Sequence, residues 1–163
     1  RTGLDGYEEL DSWLASSWFR GMLAAAYGRA GLPNTALRSL DDALAIARQT
    51  GDHFFLAEIH RMQGEFTLAR GSPTAAPEAE RLFRQSLDIA REQSALSWEL
   101  RSSVSLARLL RDTGRRRQAA ELILPVCRKF TEGFETADMK DAIQLMNELG
   151  LDSKDQPWSE STE

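Results

Sequence analysis

A segment of this chain recurs 43 residues further along, and this repetition constrains the fold more than any other feature. When the sequence is compared with itself at an offset of 43 residues, five of seven compared positions are identical, among them Ala36, Leu44 and Ala47. The pattern breaks at three glycines, spaced by 40 and 43 residues: Gly31, Gly71 and Gly114. Periods of this length are typical of stacked helical units that share one core. The sequence therefore predicts one array of about three units.

Each unit divides at its glycine into two helical patterns, because glycine accepts the left-handed backbone that ends a helix. Ala36, Leu40 and Ala43 form a small-large-small triad, whose spacing recurs at positions 79, 83 and 86 and again at 119, 123 and 126. No segment alternates apolar and polar residues for long enough to predict a strand. We therefore expect an all-α fold of seven helices. They are predicted over residues 8–30, 35–50, 53–70, 76–93, 97–113, 116–130 and 136–149. Four side chains are predicted N-caps: Asn34, Asp52, Ser97 and Thr136.

Composition limits which kinds of partner the protein can bind and indicates its cellular compartment. The net charge of −5 gives no electrostatic footprint for nucleic acid and disfavours anionic membrane surfaces. The single cysteine, Cys127, excludes an intrachain disulfide, and no apolar run approaches the ~20 residues that cross a bilayer. These features predict a cytoplasmic protein. Because the chain opens at Arg1 without a secretory leader, we expect a piece of a longer protein, with a helical repeat domain over residues 1–150 and a disordered polar tail over 151–163.

The residues at the repeated positions resemble the tetratricopeptide repeat (TPR) family. Its unit carries a large residue, a small one, Tyr and Gly on the first helix, then Ala, a large residue and Ala on the second. The first unit matches at Leu23, Ala24, Tyr27, Gly31, Ala36, Leu40 and Ala43. The others match at Gly64, Gly71, Ala79 and Phe83, and at Leu106, Ala107, Gly114 and Ala119. The chain departs from the family in its longer period, against the usual ~34 residues, and in Ser86, where Ala is expected.

The resemblance implies a right-handed superhelix of about three TPR-like repeats with a C-terminal capping helix. That helix, Thr136 to Leu149, is expected to cover the last repeat through Met139, Ile143 and Met146. Segments such as AEIHRMQGEFTLAR also look like the C-terminal repeat region of large bacterial signalling proteins. Those proteins join a class III adenylate or guanylate cyclase domain, or a DNA-binding regulator domain, to a nucleotide-binding P-loop ATPase of the signal-transducing type. The resemblance thus implies that catalysis lies in another module of the parent chain.

In the TPR family the first helix of each unit lines a concave groove that binds protein segments. Carried over by position, the expected groove residues are Trp18, Arg29, Glu58, Arg61, Glu65, Arg101, Arg108 and Arg111. The spacing of 7 and 3 puts the last three arginines on one helix face, where guanidinium groups suit a carboxylate-bearing peptide or an acidic helix. Two alternatives remain for this face: it is merely solvated, or its charges pair internally, as the spacing of Arg61 from Glu58 and Glu65 permits.

No motif in the chain predicts chemistry of its own. No glycine loop ends in Lys and a hydroxyl residue, and Cys127 sits among apolar residues as a structural thiol. His53 and His60, seven apart on one predicted helix, stand ~10 Å apart, too far to share a zinc ion. We therefore predict no catalytic residue, metal or cofactor, and a protein-interaction and regulatory domain. The alternatives are a sensor domain of an ATPase-type transcriptional regulator, or a self-assembly module that uses the exposed first helix around Trp18.

Overall fold

The computed structural model describes residues 16–151, which form seven helices and no strand. The helices are α1 (Ser16–Arg29), α2 (Pro33–Thr50), α3 (Leu56–Ala69), α4 (Ala75–Glu92), α5 (Leu96–Asp112), α6 (Arg116–Cys127) and α7 (Ala137–Leu149). The predicted all-α class is therefore confirmed over this range. The predicted start of the first helix at residue 8, and the predicted tail beyond Leu151, lie outside the described residues. No described helix is both long and apolar enough to cross a membrane.

The chain divides into two compact units, Arg1–Ser86 and Leu87–Glu163. In the first unit, α1 packs against α2, and α3 packs against both. In the second unit, α5 packs against α6, and α7 packs against both. Each unit thus contains an antiparallel helix pair covered by a third helix.

The repeated triads form the core of each unit. Ala36, Leu40 and Ala43 of α2 are fully buried, and the corresponding residues of α4 and α6 are also buried: Ala79, Phe83, Ser86, Ala119, Ile123 and Val126. The glycines at which the pattern breaks take left-handed backbone conformations, with φ of 73°, 68° and 81° at Gly31, Gly71 and Gly114. The helix ends predicted at these three glycines are confirmed, since the preceding helices end at Arg29, Ala69 and Asp112.

Two residues at repeated positions, Ser86 and Phe83, are accommodated by their neighbours. Ser86 stands where the pattern expects alanine, and its buried hydroxyl donates a hydrogen bond to the carbonyl oxygen of Ala57, at 2.6 Å. The donor is therefore satisfied, which removes the usual penalty for a buried hydroxyl. Phe83 is the largest residue at its position, and Gly64 of α3 lies against its ring: a Cβ placed on Gly64 would stand 2.4 Å from Cε1 of Phe83. Gly64, which has no side chain, therefore leaves the space that the ring of Phe83 fills.

Only one of the four predicted N-caps is confirmed. The Thr136 hydroxyl accepts a hydrogen bond from the Met139 amide, at 3.4 Å, at the start of α7. The other three predictions are wrong. Asn34 and Ser97 lie inside helices that begin earlier, at Pro33 and at Leu96. Asp52 lies in the turn before α3 and accepts from the Ser17 hydroxyl and the Phe54 amide instead.

The terminal helix α7 covers α5 and α6 with an apolar face, as expected of a capping helix. Met139, Ala142 and Met146 are fully buried, and Leu145, which the sequence reasoning did not select, is fully buried as well. Helix α6 ends at Cys127 rather than at the predicted residue 130. Pro125 lies in its last turn, where it lacks the N–H that would bond to the carbonyl of residue 121, and the helix ends two residues later.

Candidate functional site

In the first unit, the predicted groove residues of α3 form an ion-paired cluster. Arg61 donates from Nε and Nη2 to the two carboxylate oxygens of Glu58, each at 2.7 Å, and from Nη1 to Glu65. Glu58 and Arg61 are buried. Burial alone would lower the pKa of Arg61, but its bonds to Glu58 and Glu65 outweigh that effect and raise it above the ordinary value. The internal pairing that the spacing permitted is therefore present, and it leaves this guanidinium few donors for a partner.

The predicted groove residues of α1 differ in character from those of α3. Trp18 is 39% exposed and Met22 is 47% exposed, so this helix presents apolar surface. The rings of Trp18 and Phe19 meet edge to face, with centroids 4.8 Å apart. Arg29 is exposed in the last turn of the helix. The apolar contribution of α1 and the charge cluster of α3 thus lie on separate helices of the same unit.

In the second unit, the arginines predicted on one face of α5 pair with carboxylates of α7. Arg101 Nε lies 3.6 Å from Asp138 Oδ1, and its guanidinium carbon stands 5.6 Å from the centroid of the Trp98 ring, in a cation–π arrangement. Arg108 donates a hydrogen bond from Nη2 to Asp141. These pairs are partly exposed, with 33–47% of each side chain accessible to solvent.

The third arginine of this face, Arg111, contacts two carboxylates. Its Nη1 donates to Glu148 of α7, and its Nε donates to Asp112 at 2.8 Å. The hydrogen bond to Asp112, and the charges of both acids, raise the pKa of Arg111 above its ordinary value. Every arginine of the predicted row therefore has a carboxylate partner supplied by the chain itself. We name this surface, formed by Arg101, Arg108 and Arg111 with their α7 partners, the arginine row.

The α7 acids were missed because the sequence reasoning considered only acids close to each arginine in the chain. The two sets share only their total span of ten residues, because the intervals are 7 and 3 in the arginines but 3 and 7 in the acids: Arg101, Arg108, Arg111 and Asp138, Asp141, Glu148. The pairs rise together in residue number, as two helices running in the same direction require.

A second missed feature is the buried carboxylate of Glu99, near the start of α5. Lys129 Nζ lies 2.8 and 2.7 Å from its two oxygens, and Arg91 Nε lies 3.0 Å from one of them. Burial alone would raise the pKa of Glu99, but the bonds from Lys129 and Arg91 outweigh it and hold the pKa below its ordinary value. Two half-exposed cations thus hold one buried carboxylate.

Residues that might have carried chemistry are placed unfavourably for it. Cys127 is fully buried, and burial raises the pKa of its thiol to about 11, so it is protonated at neutral pH. His53 precedes α3, which begins at Leu56, so the prediction that both histidines share one helix is wrong. Within residues 16–151, no group of three or more His, Cys, Asp and Glu side chains could hold a metal ion.

No protein-family model and no curated protein sequence matches this chain.

Proposed function

We propose that this chain is a TPR-like repeat module that binds a protein segment on the helix face carrying the arginine row. The observation that carries the proposal is the repeated buried triad, which supports an array of helix-turn-helix units. In the arrangement that we infer, these units stack into a right-handed superhelix closed by α7. Such arrays present extended surfaces to partners, because each unit adds a similar face beside its neighbour.

The energetics of α7 explain how the arginine row can serve a partner although its charges are already paired. Exposed ion pairs contribute about 0–1 kcal/mol each, whereas a fully buried apolar side chain contributes about 1.5–3 kcal/mol. Met139, Leu145 and Met146 therefore hold α7 far more strongly than its surface carboxylates do. The arginines can exchange Asp138 or Asp141 for a partner's carboxylate while α7 stays in place.

The acids of α7 also indicate what a partner should look like. The three α7 acids span ten residues, as the three arginines do, and an external helix with carboxylates spread over a similar length would suit the same guanidinium groups. Such a helix would come from another protein or from the parent's own modules. The sequence resemblance supports a bacterial signalling parent that couples these repeats to a nucleotide cyclase or a P-loop ATPase, with an ATPase-type transcriptional regulator as the alternative.

The test is affinity capture from a native lysate, with the captured proteins quantified by mass spectrometry. Four forms are compared: the wild type, a reversed form (Arg101→Glu, Arg108→Glu), a swapped form that adds Asp138→Arg and Asp141→Arg, and a control (Arg117→Glu). The swapped form restores the internal pairs with opposite polarity. The control reverses one arginine that is 92% exposed on α6 and pairs with Glu121 rather than with a residue of the row. Circular dichroism first establishes that all four are equally helical.

We expect a specific set of proteins to be lost from both the reversed and the swapped forms and retained by the control. Loss from the reversed form with recovery in the swapped form would mean that the arginines act only by holding α7. Identical sets from all four forms would contradict docking on this face. Capture of the chain by itself alone would instead favour the self-assembly alternative.

A further inference from the structure

A polar cleft of about 400 Å³ opens in the first unit between α2, α3 and α4, and no residue of the arginine row lines it. Its volume falls within the range of about 300–1,000 Å³ typical of small-molecule sites. His60, Gln63 and Thr67 of α3 line it, and all three are buried. A cleft with buried polar side chains in its wall is unusual for a surface that merely contacts water, because such groups lose hydration and need defined partners.

The polar groups of the cleft are ordered by a chain of hydrogen bonds. Gln63 Nε2 donates to Asp41 Oδ1 at 3.0 Å, so Gln63 Oε1 is the acceptor for His60 Nδ1, also at 3.0 Å. His60 Nε2 is then the acceptor for Gln85 Nε2, at 3.2 Å, and Gln85 Oε1 accepts from Arg81. This pattern requires a neutral His60, and burial together with the positive charges of neighbouring arginines lowers the pKa of its imidazole. The side-chain amide nitrogens of Gln63 and Gln85 each keep a second N–H that this chain of hydrogen bonds does not use.

Three arginines surround the cleft without a carboxylate partner. Arg48, Arg70 and Arg81 all line it, and none forms an ion pair within the part of the chain that the structure describes. By contrast, Arg61 of α3 and Arg84 of α4 each pair with a neighbouring glutamate. Like charges repel when they gather around one cleft, so three guanidinium groups without an ion-pair partner favour an anion between them.

The remaining lining residues restrict which anion fits. Asp41 and Glu78 also line the cleft, so its formal charge is +1 with His60 neutral, and Asp41 is occupied by Gln63. Leu37, Leu44 and Leu82 add an apolar wall. A compact molecule with concentrated negative charge is therefore favoured over an extended polyanion, which would also contact these acids.

We propose that this cleft binds a small polyvalent anion that carries carboxylate or phosphate groups. Arg48 and Arg81 hold the anionic groups, since guanidinium binds both kinds of oxyanion in a bidentate way, and Arg70 adds a third positive charge. The unused amide N–H groups of Gln63 and Gln85 donate to the ligand's oxygens. This site is a ligand-binding function separate from protein docking.

The test is isothermal titration of citrate and of pyrophosphate into the protein at constant ionic strength, which separates carboxylate from phosphate recognition. The wild type is compared with Arg48→Gln, Arg81→Gln and with a control, Arg38→Gln, Arg84→Gln. The control removes the same number of charges from the same two helices, at exposed positions that do not line the cleft. In parallel, the imidazole signals of His60 are followed by NMR.

We expect saturable 1:1 binding of at least one anion, weakened about tenfold or more by the cleft variant and unchanged in the control, because hydrogen bonds to charged groups are lost only in the former. Saturation should also shift the His60 signals. No saturable binding of either anion would overturn the proposal. Equal weakening in the control would mean that the anion is bound only by general charge attraction. Unmoved His60 signals would mean that the anion binds outside the cleft. Either result would also overturn the proposal.

Discussion

The substitution Gly64→Ala tests whether the side chains of neighbouring helices in the core are matched in size, as Gly64 and Phe83 are. Alanine in a helix interior is normally favoured over glycine by about 1 kcal/mol. Here the added Cβ would stand 2.4 Å from Cε1 of Phe83, whereas ordinary contacts begin at 3.4 Å, so the ring must move by about 1 Å. Phe83 is 1% exposed and has no open space into which to move. The clash should therefore outweigh the gain in helix propensity.

The magnitude follows from two opposing terms. Overpacking a well-filled core costs about 1–3 kcal/mol, and a ring displaced at its edge belongs in the upper part of that range. After the gain of about 1 kcal/mol from helix propensity, Gly64→Ala should destabilise the protein by about 1–2 kcal/mol. Phe83→Leu alone should cost a similar amount through the cavity that it leaves.

The double variant should lose less stability than the sum of the losses in the two single variants. The alanine methyl enters the space that the smaller leucine vacates, so we expect a favourable coupling energy of about 2 kcal/mol, within the range for residues in contact. The first repeat already carries this combination at the equivalent positions, Ala24 and Leu40.

Urea unfolding followed by far-ultraviolet circular dichroism gives the free energy of unfolding of the wild type, both single variants and the double variant. A Gly64→Ala protein more stable than the wild type would contradict this expectation, because it would mean that the Cβ meets no resistance. Strict additivity of the two changes would also refute it, since it would show that the two residues do not share one packing constraint.

Two further predictions concern buried titratable groups. Glu99→Gln should lower stability at neutral pH by about 1–3 kcal/mol, through lost charged hydrogen bonds to Lys129 and Arg91. Because the pKa of Glu99 is depressed by folding, its contribution is present above the unfolded value of 4.5 and disappears as the pH falls through the lower folded value. The difference between wild type and variant should therefore shrink in acid, and a constant difference in urea unfolding from pH 7 to about pH 3 would contradict this assignment. Cys127, buried and with a thiol pKa of about 11, should react with iodoacetamide at pH 8 only in denaturant; rapid alkylation of the folded protein would contradict its placement.

The repeated core was predictable from sequence because it depends on spacing alone. Small and large residues at intervals of 4 and 3 must share one helix face, whatever their exact partners, and the structure buries all of them. The glycine breaks were equally predictable, since few other residues adopt a positive φ at a helix end. Even Ser86, which breaks the pattern, keeps its place by bonding to a backbone carbonyl of the neighbouring helix.

Helix starts were predicted poorly, for a physical reason. A capping side chain contributes about 1 kcal/mol, and tertiary packing of the apolar face readily outweighs it. Helix α2 accordingly begins at Pro33, whose missing N–H costs nothing in the first turn, and bypasses the better capping residue Asn34. The partners of the arginine row were missed for a different reason: Asp138 lies 37 residues from Arg101, and nothing local in the sequence records that distance.

The two arginine clusters of this protein differ in how their charge is compensated, and that difference separates their proposed roles. In the arginine row, each guanidinium already has a carboxylate, so a partner replaces one ion pair with another and gains little net electrostatic energy. Specificity there must come from the spacing of carboxylates along a helix. In the cleft, Arg48, Arg70 and Arg81 have no carboxylate to exchange, so an incoming anion forms new charge-assisted bonds. Anion binding in the cleft should therefore depend more steeply on charge than protein docking on the row, even though the row has more exposed acids around it.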